Sequence, residues 1–413
     1  MLIVKGILYT LIVFTLLYLA FKNKNSAKLY NIIMLFCWIV IALSMKSYDI
    51  SNYRMIYDAK ISIGKDFFYD ILQRASSHAG IHFSVFKVLL CTGIWLLLYA
   101  GLQKYTKNRA LAAALFILGP MIGFGTQLRS TIAGVIILNA LPILLKEDGK
   151  AWKYCLWVAV ASGFHMMAVF YFVFLIPKYF RMDSEKFRNL MCVFALILYL
   201  VFLVAAKPVA NLLVAMQSVI PVDSINAILS RFVPYLNGDL SPNLTGLMYN
   251  SLAHLILFFA VDRMCVIMKR LPKIGRRQFF SAYALSYLHK LNSILLLIVP
   301  CYMLCMQFDR FHTYFVPVSY SLIAQGLWEL RRANVKAPVY GILDIGLIKK
   351  LKILQSDKLR FLTAEKTGLL QPGNFEVALL LACMIFCFYV GNWHAPQGFL
   401  EIIGSIAQFG GTT

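Results

Sequence analysis

Long apolar runs recur along this 413-residue chain and limit the folds that are open to it. Hydrophobic residues make up 60% of the sequence and charged residues only 14%, which leaves more apolar surface than a water-soluble fold could bury. Most of the runs can cross a hydrocarbon layer about 30 Å thick. Because they are continuous rather than alternating, they predict membrane-spanning helices and not a β-barrel.

The predicted fold class is all-α: a polytopic transmembrane helical bundle, with about 10–12 membrane segments in one integral membrane domain. That domain covers residues 1–413, with outer loops at 46–81 and 207–250 and a basic cytoplasmic segment at 331–374. The apolar runs are at 2–21, 29–45, 82–103, 110–126, 129–145, 154–176, 190–206, 251–268, 280–307, 311–330 and 375–391.

The formal charge of +22 would indicate a nucleic-acid partner in a soluble protein. Here most Lys and Arg residues lie in short segments between apolar runs, as expected for cytoplasmic loops. The sequence therefore predicts membrane lipid as a partner and no nucleic acid. The distribution also predicts that the N-terminus is outside the cytoplasm, because the first basic segment is 22–28.

The apolar run 154–176 presents a conflict for this topology. A single crossing there would place the basic segments 177–189 and 269–277 on the outer side, against the charge rule. A short hairpin that turns near Gly163 and His165 keeps both segments in the cytoplasm. With the hairpin, cytoplasmic segments hold about three times as many Lys and Arg residues as outer segments.

Ionisable groups near a bilayer are costly, so those that this topology places on the outer side are candidate functional residues. If the stretch after the second run is helical, Asp49, Tyr53 and Tyr57 share one face at four-residue spacing. A carboxylate beside two phenols suits the binding of sugar hydroxyls, or the removal of a proton from one. An interfacial aromatic belt with a solvated aspartate explains the same pattern.

Two further outer groups are Arg129, which opens an apolar helix, and His165, at the predicted hairpin turn. Arg129 could extend its charge to the membrane surface, or hold a diphosphate with bidentate hydrogen bonds. His165 could be a packing residue, a general base or a phosphate ligand. The sequence alone leaves both choices open.

The remaining outer groups are Arg231 with Tyr235, and Arg310 with His312 and Tyr314. Arg310 could pair with the preceding aspartate or be a second phosphate ligand. The chain has no nucleotide-binding loop, no zinc-protease motif and no acidic pair for a metal-bound nucleotide sugar. No two cysteines have CxxC spacing, so neither a metal nor another cofactor is expected.

The order of these groups resembles the Wzy-like bacterial polysaccharide polymerases, in particular their EpsG family. The resemblance spans roughly residues 30–330, and order and spacing contribute most of it. The matching residues are Asp49, Asn52, Tyr53 and Tyr57, then Gln127-Leu128-Arg129 with Ile132-Ala133, then Phe164-His165, and finally Arg310 with Tyr314-Phe315.

The resemblance implies a GT-C-like membrane glycosyltransferase that joins undecaprenyl-diphosphate-linked oligosaccharide repeats into capsular, exo- or O-antigen polysaccharide. The transfer would be metal-independent and would occur on the outer face of the bacterial cytoplasmic membrane. A flippase and a chain-length regulator would be partners. The catalytic residues would be Asp49, Arg129, His165 and Arg310. The substrate-binding residues would be Asn52, Tyr53, Arg54, Tyr57, Gln127, Arg231, Tyr235, His312 and Tyr314.

Under this hypothesis the two arginines neutralise the departing diphosphate, and either Asp49 or His165 deprotonates the acceptor hydroxyl. The alternatives are an O-antigen ligase-like transferase and a flippase or other transporter of lipid-linked oligosaccharide. A ligase should have a long outer loop with its own histidine, and 207–250 has none. A transporter should show repeat symmetry, which the sequence lacks.

Overall fold

The computed structural model describes residues 2–22, 26–45, 47–62, 64, 66–118, 121–219, 244–270, 279–303 and 308–333, and all regular elements in these ranges are helical. The α-helices are α1 Leu2–Lys22, α2 Ala27–Leu43, α3 Tyr48–Asp58, α4 Phe67–His78, α5 Phe83–Leu102, α6 Arg109–Leu118, α7 Met121–Thr126, α8 Leu128–Ala140, α9 Ala151–Phe164, α10 Ile176–Tyr179, α11 Ser184–Val219, α12 Leu244–Arg270, α13 Ala282–Leu295, α14 Ile298–Cys301 and α15 Asp309–Ala333. Two 3₁₀ helices are Leu141–Ile143 and Met166–Leu175.

Three of the described segments have the length and apolar composition to cross a membrane: Phe83–Leu102, Asn250–Lys269 and Ala282–Cys301. Shorter apolar helices accompany them at Leu8–Lys22, Ala27–Leu43, Arg109–Leu118, Leu128–Ile143 and Met166–Tyr179. The all-helical class is therefore confirmed for the described residues, while the number of membrane crossings stays a prediction.

The predicted hairpin is present, and it turns at His165. Helix α9 forms its first arm and the 3₁₀ helix Met166–Leu175 its second. The Tyr154 hydroxyl donates to the carbonyl of Tyr171 at 3.1 Å, so the arms run antiparallel. The Lys178 ammonium then donates to the carbonyl of Lys146 at 3.3 Å, which returns the chain to the end of the bundle where the hairpin began.

That end of the bundle, here called the basic end, joins α11, α12 and α13 through a polar network around Asp262. Its carboxylate accepts hydrogen bonds from Arg188 at 3.2 Å and from His289 Nε2 at 2.5 Å. The Lys269 ammonium donates to His289 Nδ1 at 3.1 Å. Each of these polar groups therefore has a partner, as burial requires.

Two helices extend into the predicted outer loop 207–250, and its limits at the membrane surface stay a prediction. Helix α11 continues through Pro208 to Val219, and α12 already begins at Leu244. Proline removes one backbone donor, and helices within a membrane tolerate it when nearby groups satisfy the freed carbonyl. Only part of the predicted loop, 220–243, lies between these helices, and it falls outside the described residues.

The end opposite the basic end is covered by α3 and α4, which occupy the predicted loop 46–81. Two carbonyls in the last turn of α2, those of Ile41 and Ala42, accept hydrogen bonds from the buried Lys87 ammonium at 2.8 and 3.1 Å. A cation at a helix C-terminus satisfies free carbonyls and opposes the helix dipole. The Ser77 hydroxyl donates to the Tyr57 carbonyl at 2.8 Å and ties α4 to α3.

Candidate functional site

Arg129 lies in the first turn of α8, at the end of the bundle that α3 and α4 cover. Its Nη1 donates to Asp66 Oδ2 at 2.7 Å, and its Nε donates to the Tyr53 hydroxyl at 3.4 Å. The guanidinium also lies over the Tyr53 ring, 5.3 Å from the ring centre. Two residues more than sixty positions away in the chain thus fix the Arg129 side chain, which is 26% exposed.

Asp66 was not among the predicted site residues, and it joins the other members of the site. It immediately precedes α4 with a left-handed backbone (φ 58°), and its side chain does not cap that helix. Instead, Oδ2 binds Arg129, and Oδ1 accepts a hydrogen bond from the Met166 amide at 2.7 Å. Aspartate tolerates positive φ better than most residues, and these bonds offset the remaining strain.

The Asp66 carboxylate is ionised at neutral pH. Burial raises the pKa of this carboxyl, but the nearby His165 ring, the Met166 amide and the Arg129 charge lower it by more, so its pKa lies below the usual value. Its side chain is only 4% exposed, so water contributes little to this balance. The site is therefore built around a permanent negative charge that Arg129 balances.

His165 occupies the hairpin tip with an extended backbone (φ −154°), and its Nδ1 lies 3.5 Å from Asp66 Oδ2. The tip is held in place by α4, because Gly163 lies against the ring of Phe68. Phe68 also packs on Phe164, with ring centres 5.6 Å apart. Because Gly163 has no side chain, Phe68 of α4 can approach α9 closely, and this brings Asp66 near His165. The Arg129 cluster is defined as Tyr53, Asp66, Arg129 and His165.

Replacing Gly163 with alanine should disturb this contact, since the new Cβ would lie 2.2 Å from Phe68 Cδ2. We expect the free energy of unfolding to fall by about 1–3 kcal/mol, and activity to fall because α4 moves away from the hairpin. Gly93→Ala is the control, because nothing lies within 4 Å of its Cβ position and alanine favours a helix. Thermal unfolding in detergent measures both variants, and equal melting temperatures would contradict the expectation.

Asp49, Tyr53 and Tyr57 lie on one face of α3, as predicted, but their surroundings differ. Asp49 is half-buried in the first turn, one turn before the buried Tyr53. Tyr57 is 2% exposed, and its hydroxyl donates to the Ile81 carbonyl at 2.7 Å. Burial raises the Tyr57 pKa, so the phenol stays neutral. Tyr57 therefore lies in the core, and only Tyr53 belongs to the Arg129 cluster.

Two other predicted residues of α3 lie away from the cluster or at its margin. Arg54 is exposed, and its Nε lies 3.4 Å from a carboxylate oxygen of Asp58. Exposed pairs of this kind contribute little to stability. Asn52 is half-buried on the same helix.

The Tyr314 side chain of α15 contacts residues at the start of α8. The Tyr314 hydroxyl lies 2.9 Å from Gln127 Oε1 and 2.6 Å from Ser130 Oγ, and its ring packs against Gly134. Arg310 is in the first turn of α15, one turn before Tyr314 and therefore on the same face of the helix.

His312 contacts a different group of side chains. Its ring stacks on that of His254 with centres 3.5 Å apart, and His254 Nδ1 lies 3.0 Å from the Tyr302 hydroxyl. These contacts join α12 to α15 and do not include the Arg129 cluster. Arg231 and Tyr235 lie outside the described residues, as does most of the predicted basic segment 331–374.

Comparison with known proteins confirms the resemblance. The EpsG family model matches residues 27–343, more than half of the chain, including every member of the Arg129 cluster. No curated protein and no solved structure matches. Membership implies a polysaccharide polymerase type of activity on a lipid-linked oligosaccharide at the membrane. The chain is a helical membrane protein that belongs to the EpsG family.

Proposed function

We propose that this protein joins undecaprenyl-diphosphate-linked oligosaccharide repeats into polysaccharide as a GT-C-like, metal-independent glycosyltransferase. The observation that supports the proposal is the Arg129 cluster, in which one buried carboxylate holds an arginine and lies beside a histidine. Its members come from three distant parts of the chain. Family membership supplies the class of substrate.

The charge distribution supports a site that faces the exterior. Lys146, Lys178 and Lys269 lie at the basic end, and by the positive-inside rule that end is cytoplasmic. The Arg129 cluster lies at the other end, beneath α3 and α4. Lipid-linked repeats that have been moved to the outer leaflet would reach the cluster without crossing the bilayer again.

Arg129 has one nitrogen left to bind a substrate. Its Nε contacts Tyr53 and its Nη1 contacts Asp66, while Nη2 has no hydrogen-bond partner within the described residues. In the proposed reaction, an acceptor hydroxyl attacks the anomeric carbon, and the bond from that carbon to the diphosphate oxygen breaks. Negative charge then grows on the departing diphosphate, and Arg129 stabilises it. Arg310 would add a second positive charge from α15.

His165 is better placed than Asp49 to accept the proton of the acceptor hydroxyl. Its Nδ1 faces the Asp66 carboxylate, so a neutral ring with a proton on Nδ1 leaves Nε2 free as the base. Asp66 then stabilises the imidazolium that forms, as the carboxylate does in a catalytic triad. Asp49 lies one turn away from Tyr53 and is the alternative base.

Analysis of lipid-linked glycans in a strain without this protein tests the function. We expect single repeats on undecaprenyl diphosphate to accumulate at the outer leaflet, and polymer to disappear. Repeats confined to the inner leaflet would instead indicate a flippase, and full-length polymer on its carrier would indicate a ligase. Either of those outcomes would overturn the proposal.

A further inference from the structure

Tyr69 is a fully buried tyrosine whose hydroxyl has no hydrogen-bond partner within the described residues. It is the third residue of α4, and its side chain is 0% exposed. Buried hydroxyl groups nearly always have a partner, because leaving one unpaired costs free energy. An unpaired hydroxyl next to a candidate site is therefore a candidate for binding a ligand.

The surroundings of Tyr69 connect it to Arg129. The Tyr69 and Tyr53 ring centres are 5.9 Å apart, and the Arg129 guanidinium lies over the Tyr53 ring. The Tyr53 ring thus contacts both Tyr69 and the Arg129 guanidinium.

The start of α4 adds a third element to this part of the site. Asp66 occupies the N-cap position, but its carboxylate turns to Arg129 and Met166 and does not cap the helix. The amide groups in the first turn of a helix of 12 residues carry partial positive charge and favour an anion. Because the Asp66 side chain contacts Arg129, the residue that precedes α4 is tied to the guanidinium.

We propose that the Tyr69 hydroxyl, the first-turn amides of α4 and Arg129 Nη2 form an anion subsite for one phosphate of the lipid-linked diphosphate. This inference rests on the proposed function and adds Tyr69 as a binding residue. The phenol donates its proton in a hydrogen bond to a phosphate oxygen, and Arg129 binds a second oxygen. Asp66 keeps the guanidinium in position and does not contact the phosphate.

The substitution Tyr69→Phe tests this subsite, because it removes only the hydroxyl. Since that hydroxyl has no protein partner, the variant should unfold at the same temperature as the wild type, or slightly higher. The affinity of the full-length protein in nanodiscs for undecaprenyl diphosphate without sugars should fall about tenfold, and polymerisation should slow by a similar factor. Unchanged affinity for this probe would overturn the subsite.

Tyr105→Phe is the matched control. Tyr105 is also 0% exposed, but its hydroxyl donates to the Leu138 carbonyl at 2.5 Å, near the basic end. This variant should melt at a lower temperature and bind the probe as the wild type does. If Tyr69→Phe instead behaves like Tyr105→Phe, Tyr69 is a structural residue and the subsite is wrong.

The subsite and the proposed function fail in different ways. Unchanged probe binding by Tyr69→Phe, with single repeats accumulating in the deletion strain, refutes the subsite and leaves the polymerase intact. Weaker probe binding by Tyr69→Phe, with repeats trapped on the inner leaflet of that strain, supports a diphosphate subsite in a protein that is not a polymerase.

Discussion

Arg129→Ala is expected to stop polymer formation and to leave single lipid-linked repeats in the membrane. The substitution removes the positive charge that offsets the growing charge on the departing diphosphate. A single positioned arginine can change the rate of such a step by a factor of about 10³ or more. Mass spectrometry of lipid-linked glycans and gel analysis of polymer measure the effect in cells that produce equal amounts of protein.

Arg129→Lys should restore only part of the activity. Lysine keeps the charge, but it cannot contact Tyr53, Asp66 and a phosphate with three separate nitrogens. Arg74→Ala is the matched control, since Arg74 pairs with Asp70 at 3.0 Å on α4 and is 47% exposed. It should support normal polymer. Normal polymer from Arg129→Ala would remove Arg129 from the mechanism.

Much of the helical architecture follows from the sequence. Apolar runs predicted the helices because a membrane-spanning backbone must satisfy its own hydrogen bonds. Charge predicted the hairpin, since only a turn near His165 keeps the basic segments on one side. The structure confirms that turn through the contact of Lys178 with Lys146. The continuation of α11 past Pro208 was missed, because proline weakens a helix without always ending it.

The candidate site was only partly predictable. Arg129, His165 and Tyr53 stand out because they are polar or aromatic groups next to apolar runs. Asp66 does not, because it lies in a polar segment with no periodic pattern, among other carboxylates such as Asp58 and Asp70. What distinguishes Asp66 is a contact across 63 residues and a left-handed backbone, neither of which a sequence displays.

Asp66 links the three parts of the site, so its charge should matter more than its size. Through one carboxylate it fixes Arg129 of α8, and through the Met166 amide it fixes the hairpin tip. It faces His165 with the same oxygen that binds Arg129. Arg129, the hairpin tip and the start of α4 therefore cannot be placed independently of one another.

Asp66→Asn should lower kcat about 10- to 100-fold, with a smaller change in KM. Asparagine is nearly isosteric and also tolerates a left-handed backbone, so α4 should keep its start. The amide can still accept from the Met166 amide, but it no longer balances Arg129 or stabilises a protonated His165. Second-shell partners of reacting groups commonly have effects of this size. Polymerisation rates at several concentrations of lipid-linked repeat separate kcat from KM.

Asp70→Asn supplies the comparison that distinguishes positioning from stability. Asp70 is another buried carboxylate of α4, bound to Arg74 and to the Ser62 hydroxyl at 2.9 Å, and it makes no contact with Arg129 that the structure describes. Its substitution should lower the melting temperature and leave kcat near the wild-type value. Asp66→Asn should lower the melting temperature as well, since the folded protein stabilises the ionised carboxylate, and it should also lower kcat because the charge that positions Arg129 is lost. Equal losses of kcat in the two variants would mean that α4 acts only as a structural support, and that Asp66 does not position Arg129.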